Sequence, residues 1–125
     1  MATEQAEQQA VEEITPQEAF TELDEGGVKL IDTREPYEYE ESHIEGSELI
    51  PPGVIADRIE AAVPDKSQRI ILQCRSGARS WDAAQVLAAK GYTNLANMGG
   101  GILEWEAQGL PVASDSGLTP EQRLY

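Results

Sequence analysis

The chain has 125 residues, enough for one compact domain with a true core and too few for two ordinary ones. Its net charge of −14 argues against nucleic acid and against an anionic membrane surface as partners, since both call for clustered Lys and Arg. Cys74 is the one cysteine, which excludes an internal disulfide, a multi-cysteine metal site and a secreted disulfide scaffold.

The N-terminus has no basic stretch followed by an apolar run, and nothing approaches the length of a membrane span. A cytoplasmic, reducing compartment is therefore expected, and it suits a free thiol. Residues 1–13 hold Glu, Gln and Ala with little to bury, so they read as a flexible acidic tail before a domain over 14–112.

Thr15-Pro16-Gln17-Glu18 has the order of an N-cap, a first helical proline and a capping-box glutamate, which predicts a helix through about Leu23, ending near Gly26-Gly27. Val28 to Asp32 reads as a buried strand. Glu35 to Glu41 reads as a short helix opened by Pro36. Ser47 to Ile50 is a brief strand stopped by Pro51-Pro52. Val54, Ile55, Ile59, Ala62 and Val63 carry helical spacing, with Pro64-Asp65 as the exit.

Arg69-Ile70-Ile71-Leu72-Gln73 is a continuous apolar run of the kind found at the centre of a parallel sheet. It is followed by Cys74-Arg75-Ser76-Gly77-Ala78-Arg79-Ser80 and by a helix from Arg79 or Ser80 to Lys90. Asn94 to Met98 is the last strand, Gly99-Gly100-Gly101 a turn, and Ile102 to Gln108 the last helix of the domain. Strands alternating with helices predict an α/β fold, a central parallel sheet with helices on both faces.

In such sheets ligands bind beyond the carboxyl ends of the strands, and Cys74 stands there by sequence order alone. Backbone N–H groups of residues 75–80 can turn inward as an anion-binding nest, and the following helix start adds positive potential. Both favour thiolate over thiol. Gly77 supplies backbone freedom for a tight loop. Arg75 and Arg79 bracket the cysteine in a strongly acidic chain. A lone cysteine without context is more often a buried apolar filler, but two arginines and a glycine are poor core residues.

Cys74 to Ser80 resembles the active-site loop of the rhodanese family of sulfurtransferases. Leu30 to Tyr39 and His43 to Ser47 resemble that family's first signature. Met98 to Ile102, Trp105 and Gly109 to Val112 resemble its closing one. Ser42 departs from the usual glycine and Glu45 from the usual proline. The resemblance implies a Cys74 persulfide, charged by a donor such as thiosulfate and emptied by a thiol or a sulfur-carrier protein. It implies no metal and no organic cofactor. Arg75, Ser76, Gly77, Ala78, Arg79 and Ser80 would form the substrate-binding loop, with Arg79 and Arg75 on the donor's sulfonate oxygens.

Two rivals follow from the same residues. A cysteine phosphatase or arsenate reductase also cradles an anion, but that phosphatase loop has five residues between Cys and Arg, and here there are four. Gln73 also stands where that pattern has histidine. A partner-binding module of the same fold is the other rival, and loss of the cysteine would mark it.

Asp32 and Arg34 are expected to form a structural ion pair, His43 to be a packing residue, and Trp105 to lie in the core. Trp81 reads equally as a rim residue or a packed one. The acidic run Glu35–Glu48 is expected to be a solvated face. Residues 113–125 have linker character. Within them, Thr119-Pro120-Glu121-Gln122 begins like a capped helix and resembles the opening of the adenylyltransferases that prepare sulfur-carrier proteins.

Overall fold

The apolar run Ile70-Ile71-Leu72 becomes the middle strand of a five-stranded sheet, and all three side chains are fully buried. In the computed structural model, which describes residues 11–114, the chain runs β1 (Val11–Ile14), α1 (Pro16–Glu25), β2 (Val28–Asp32), α2 (Pro36–Glu41), β3 (Ser47–Leu49), α3 (Ile55–Ala62), β4 (Arg69–Gln73), α4 (Ala78–Ala89), β5 (Leu95–Met98) and α5 (Gly101–Ala107). The strand order is β1-β5-β4-β2-β3, and every neighbouring pair is parallel. Among the described residues no helix is long and apolar enough to cross a membrane.

Alternation along the strands divides the core into two layers. Ile31, Ile70, Leu72 and Leu95 face Ile55 and Ile59 of α3 and Ala83, Ala84 and Leu87 of α4. Leu30, Ile71, Ala96 and Met98 face Ala19 of α1 and Ile102 and Trp105 of α5. Each large apolar side chain so buried contributes about 1.5–3 kcal/mol by leaving water. The expected α/β sheet covered on both faces is what the chain forms.

Local chemistry explains the helix entries. The Thr15 hydroxyl accepts from the Glu18 N–H at 3.1 Å, and the Glu18 carboxylate accepts from the Thr15 N–H at 2.9 Å. That reciprocal box, with Pro16 as the first residue, starts α1 as read from the sequence. Helix α4 begins one residue earlier than expected, because Gly77 takes the N-cap position in the left-handed region at φ +107°.

The N-terminal boundary needs correction. Residues 11–13 are not tail: β1 pairs in register with β5, Val11 beside Leu95 and Ile14 beside Met98, and both Val11 and Ile14 are buried. Partnership with a strand far along the chain supplies the hydrogen bonds that a stretch flanked by Glu and Gln did not announce. At the other end, Ala113 forms an antiparallel bridge with His43, exchanging N–H···O bonds of 2.9 and 2.7 Å, so ordered pairing extends past residue 112. Residues 1–10 and the capped-helix pattern at 119–122 lie outside the described residues.

Candidate active site

Strand β4 delivers Cys74 at its carboxyl end, where the chain leaves the sheet and turns into α4. The end of β4 is clamped sideways: the backbone N–H and the hydroxyl of Thr33 both donate to the Gln73 carbonyl, at 2.9 and 3.2 Å. From the other side, the first N–H groups of α5 take the loop's carbonyls. Ile102 N–H donates to the Cys74 oxygen at 2.9 Å, and Leu103 N–H donates to the Arg75 oxygen at 3.2 Å. With those oxygens drawn away, the N–H edges of the loop are free to face the sulfur.

Around Sγ the donors converge. Gly77 N–H reaches it at 3.1 Å, and the Ser80 hydroxyl lies at 3.4 Å. Cys74 is almost wholly shielded, 1% exposed. Burial pushes its thiol pKa up, but the Ser80 hydroxyl and the N–H groups of Ser80, Gly77 and Ser76 outweigh that and bring it below the ordinary thiol value. Of the N–H groups expected to turn inward over residues 75–80, that of Gly77, the N-cap of α4, makes a hydrogen bond to Sγ.

Ser80 is fully buried and has one proton to offer three acceptors: the Asn97 side-chain oxygen, the Gly77 carbonyl at 3.3 Å and Cys74 Sγ. Asn97 fixes the other half of this arrangement. Its amide N–H₂ donates to the Gly77 carbonyl at 3.2 Å and to a Glu13 carboxylate oxygen at 3.1 Å. Every polar edge of the Asn97 amide is thus used, which settles its orientation.

The two arginines differ. Arg79 holds Glu38 through two parallel bonds of 2.9 and 3.0 Å. The Glu38 bond keeps the guanidinium firmly protonated against the opposing effect of burial, and the Cys74 charge adds to this. Arg75 is exposed and makes no ion pair among the described residues. It lines a cleft of about 380 Å³ with Arg34, Glu38, Ser42, Ile102 and Glu106. Ala78 opens α4 and contributes backbone alone.

Asp32 and Arg34 form a buried bidentate pair, Nε–Oδ1 2.9 Å and Nη2–Oδ2 2.8 Å, and Nη2 also donates to the Ser42 carbonyl at 2.7 Å. This ties the entry and exit of α2 together. His43 stacks on Tyr39 at 3.9 Å and donates from Nδ1 to the Tyr39 carbonyl at 2.7 Å, a packing role. Trp105 is core, with its indole N–H on the Pro111 carbonyl at 2.8 Å. Trp81 is 40% exposed, on the outer side of the first turn of α4. The acidic run is mostly solvated, as expected, except that Glu38 is largely buried against Arg79.

Glu13, Glu38, Asn97 and Gly101 are members of the site that sequence reasoning did not single out. Asn97 carried a signal: it is a lone amide among the apolar residues of β5, all of them buried.

A family model described as "Rhodanese-like domain" matches residues 15–108. The chain is 39% identical over 70 residues to "Thiosulfate sulfurtransferase PspE" of Escherichia coli, an alignment covering 56% of this chain and 67% of that one. It is 34% identical over 99 residues to "Probable adenylyltransferase/sulfurtransferase MoeZ" of Mycobacterium tuberculosis, covering 78% of this chain but only 25% of that much longer protein. A solved structure described as "rhodanese with anions from E. coli" superposes with a TM-score of 0.62 at 32% identity, covering 69% of this chain and 96% of that one. With the family match spanning most of its length and sulfurtransferases among its relatives, this chain belongs to the rhodanese-like domain family.

Proposed function

We propose that the protein is a sulfurtransferase that moves a sulfane sulfur from a donor such as thiosulfate to a thiophilic acceptor through a persulfide on Cys74. The observation that carries this reading is the convergence of the Gly77 N–H and the Ser80 hydroxyl on Sγ, which favours thiolate in a shielded site. In the first half-reaction the thiolate attacks the outer sulfur of thiosulfate. The new Sγ–S bond forms as the donor S–S bond breaks, and sulfite leaves with the electron pair. In the second half-reaction a nucleophile such as cyanide takes that sulfur as thiocyanate and returns the Cys74 thiolate.

The transferred sulfur carries the negative charge between the two steps, and the Gly77 N–H and the Ser80 hydroxyl, with the positive start of α4, are suited to hold it. Arg75 is free to attract the donor's sulfonate, and Arg79 joins it when Glu38 yields. A thiol or a sulfur-carrier protein is the acceptor we assign in the cell, in a cytoplasmic, reducing setting. The relative that joins sulfurtransferase to adenylyltransferase in its name supports the carrier-protein option.

Mass spectrometry after thiosulfate treatment tests the reading. One added sulfur on the Cys74 peptide is expected, lost on addition of cyanide, and absent in Cys74→Ser. A folded protein that never gains sulfur overturns it.

A further inference from the structure

We propose that Glu38 is a specificity-determining residue for the sulfur donor: its carboxylate occupies the guanidinium fork of Arg79 and turns the site against dianionic donors. This deepens, and rests on, the sulfur-transfer reading above.

A sulfonate would use the same two N–H groups of Arg79 that Glu38 holds at 2.9 and 3.0 Å. Glu38 is well fixed as a competitor. Its Oε1 also accepts the Glu35 N–H at 2.8 Å at the start of α2, so the carboxylate is held in place rather than swinging. Its side chain is 13% exposed against 37% for Arg79. An internal anion so placed acts at high effective concentration, and a dissolved dianion must displace it before it can use the fork. The Cys74 charge acts on Arg79, so the cation that Glu38 neutralises is one that feels the reacting sulfur.

A persulfide donor does not need the fork. For R–S–SH, the thiolate attacks the outer sulfur, the S–S bond breaks, RS⁻ leaves with the electron pair, and the proton stays with the transferred sulfur. A donor of low net charge therefore escapes the competition that thiosulfate meets.

The experiment compares thiosulfate with cysteamine persulfide as donors, reading sulfur on Cys74 by mass spectrometry and kcat/KM by single- and multiple-turnover kinetics. Glu38→Gln keeps an oxygen for the Glu35 N–H but removes the charge. It is expected to raise the ratio of kcat/KM for thiosulfate to that for the persulfide about tenfold, mainly through the thiosulfate KM, and less at high salt. Glu38→Ala should move the ratio the same way, and Glu38→Asp, which keeps the charge, should move it least. A wild-type protein that takes sulfur from neither donor overturns the sulfur-transfer reading and this inference with it. A protein that takes sulfur from both, with a ratio unmoved in Glu38→Gln and Glu38→Ala, overturns the inference alone.

Discussion

Gly101 packs against the carbonyl oxygen of Cys74 so closely that a Cβ built on it would overlap both that oxygen and the Arg75 oxygen. The contact exists because the first turn of α5 must come near enough for Ile102 and Leu103 to take those carbonyls. Gly101 also has φ +59°, a region that L side chains enter at a cost. The atoms in the way are backbone, which cannot swing aside. Gly101→Ala is therefore expected to destabilise the fold by about 2 kcal/mol or more, read as a drop in Tm. It should also slow sulfur loading of Cys74 in whatever protein remains folded. A wild-type Tm and loading rate in this variant would show that the α5–loop contact is dispensable.

Ser80 is the largest of the groups that favour the thiolate at Cys74, against the contrary effect of burial. The rate of alkylation by iodoacetamide should therefore rise with a midpoint below the ordinary thiol range. In Ser80→Ala that midpoint moves up, and alkylation near neutral pH falls about tenfold, the worth of one hydrogen bond to a charged acceptor. The sign for stability follows from the lowered pKa. The contribution is complete above the unfolded thiol's pKa and is lost as pH falls through the folded value. An unshifted midpoint in Ser80→Ala would remove its hydroxyl from the site.

Asn97 joins Ser80, Gly77 and Glu13, so its removal leaves the Gly77 carbonyl short of a partner and the Ser80 hydroxyl without its neighbour. Asn97→Ala is expected to cost about 1–3 kcal/mol of stability and to change the Cys74 alkylation profile. Because both variants act on one hydroxyl, Ser80→Ala and Asn97→Ala should be non-additive in the shift of that profile. Strict additivity would mean that Asn97 supports the fold alone and does not act through Ser80.

What the sequence made legible divides along physical lines. The β4 run, the capping box at Thr15 and the Cys74 loop are local patterns, and each formed nearly where expected. The Asp32–Arg34 pair was legible too, since two residues of opposite charge at a strand end have few other ways to be buried. The missed features depend on chain-distant pairing. Strand β1 is ordered by β5, Glu38 meets Arg79 across 41 positions, and Asn97 meets Glu13 across 84. No periodicity in a short window carries such information. Arg79 illustrates the consequence: its charge and position pointed to an anion, and the anion it meets in the fold is the protein's own Glu38.

The loop's size also predicts how the protein treats phosphate esters. Four residues lie between Cys74 and Arg79, and the ring they form is drawn in on the sulfur itself. Gly77 N–H donates to Sγ itself at 3.1 Å, and a phosphoryl group would need donors for three oxygens where an added sulfur needs them for one atom. The α5 contacts through Ile102 and Leu103 resist expansion of the loop, and a Cβ at Gly77 would lie only 3.3 Å from the Gly100 nitrogen. Arg79, which a phosphate would need for its remaining oxygens, is held by Glu38. A single added sulfur asks much less of this cradle than a tetrahedral ester does. We therefore expect negligible hydrolysis of p-nitrophenyl phosphate under conditions that load sulfur on Cys74. The Glu38→Gln variant should gain none either, because freeing Arg79 does not enlarge the ring. Turnover of the ester that disappears in Cys74→Ser would overturn the size argument and return the loop to the phosphatase class.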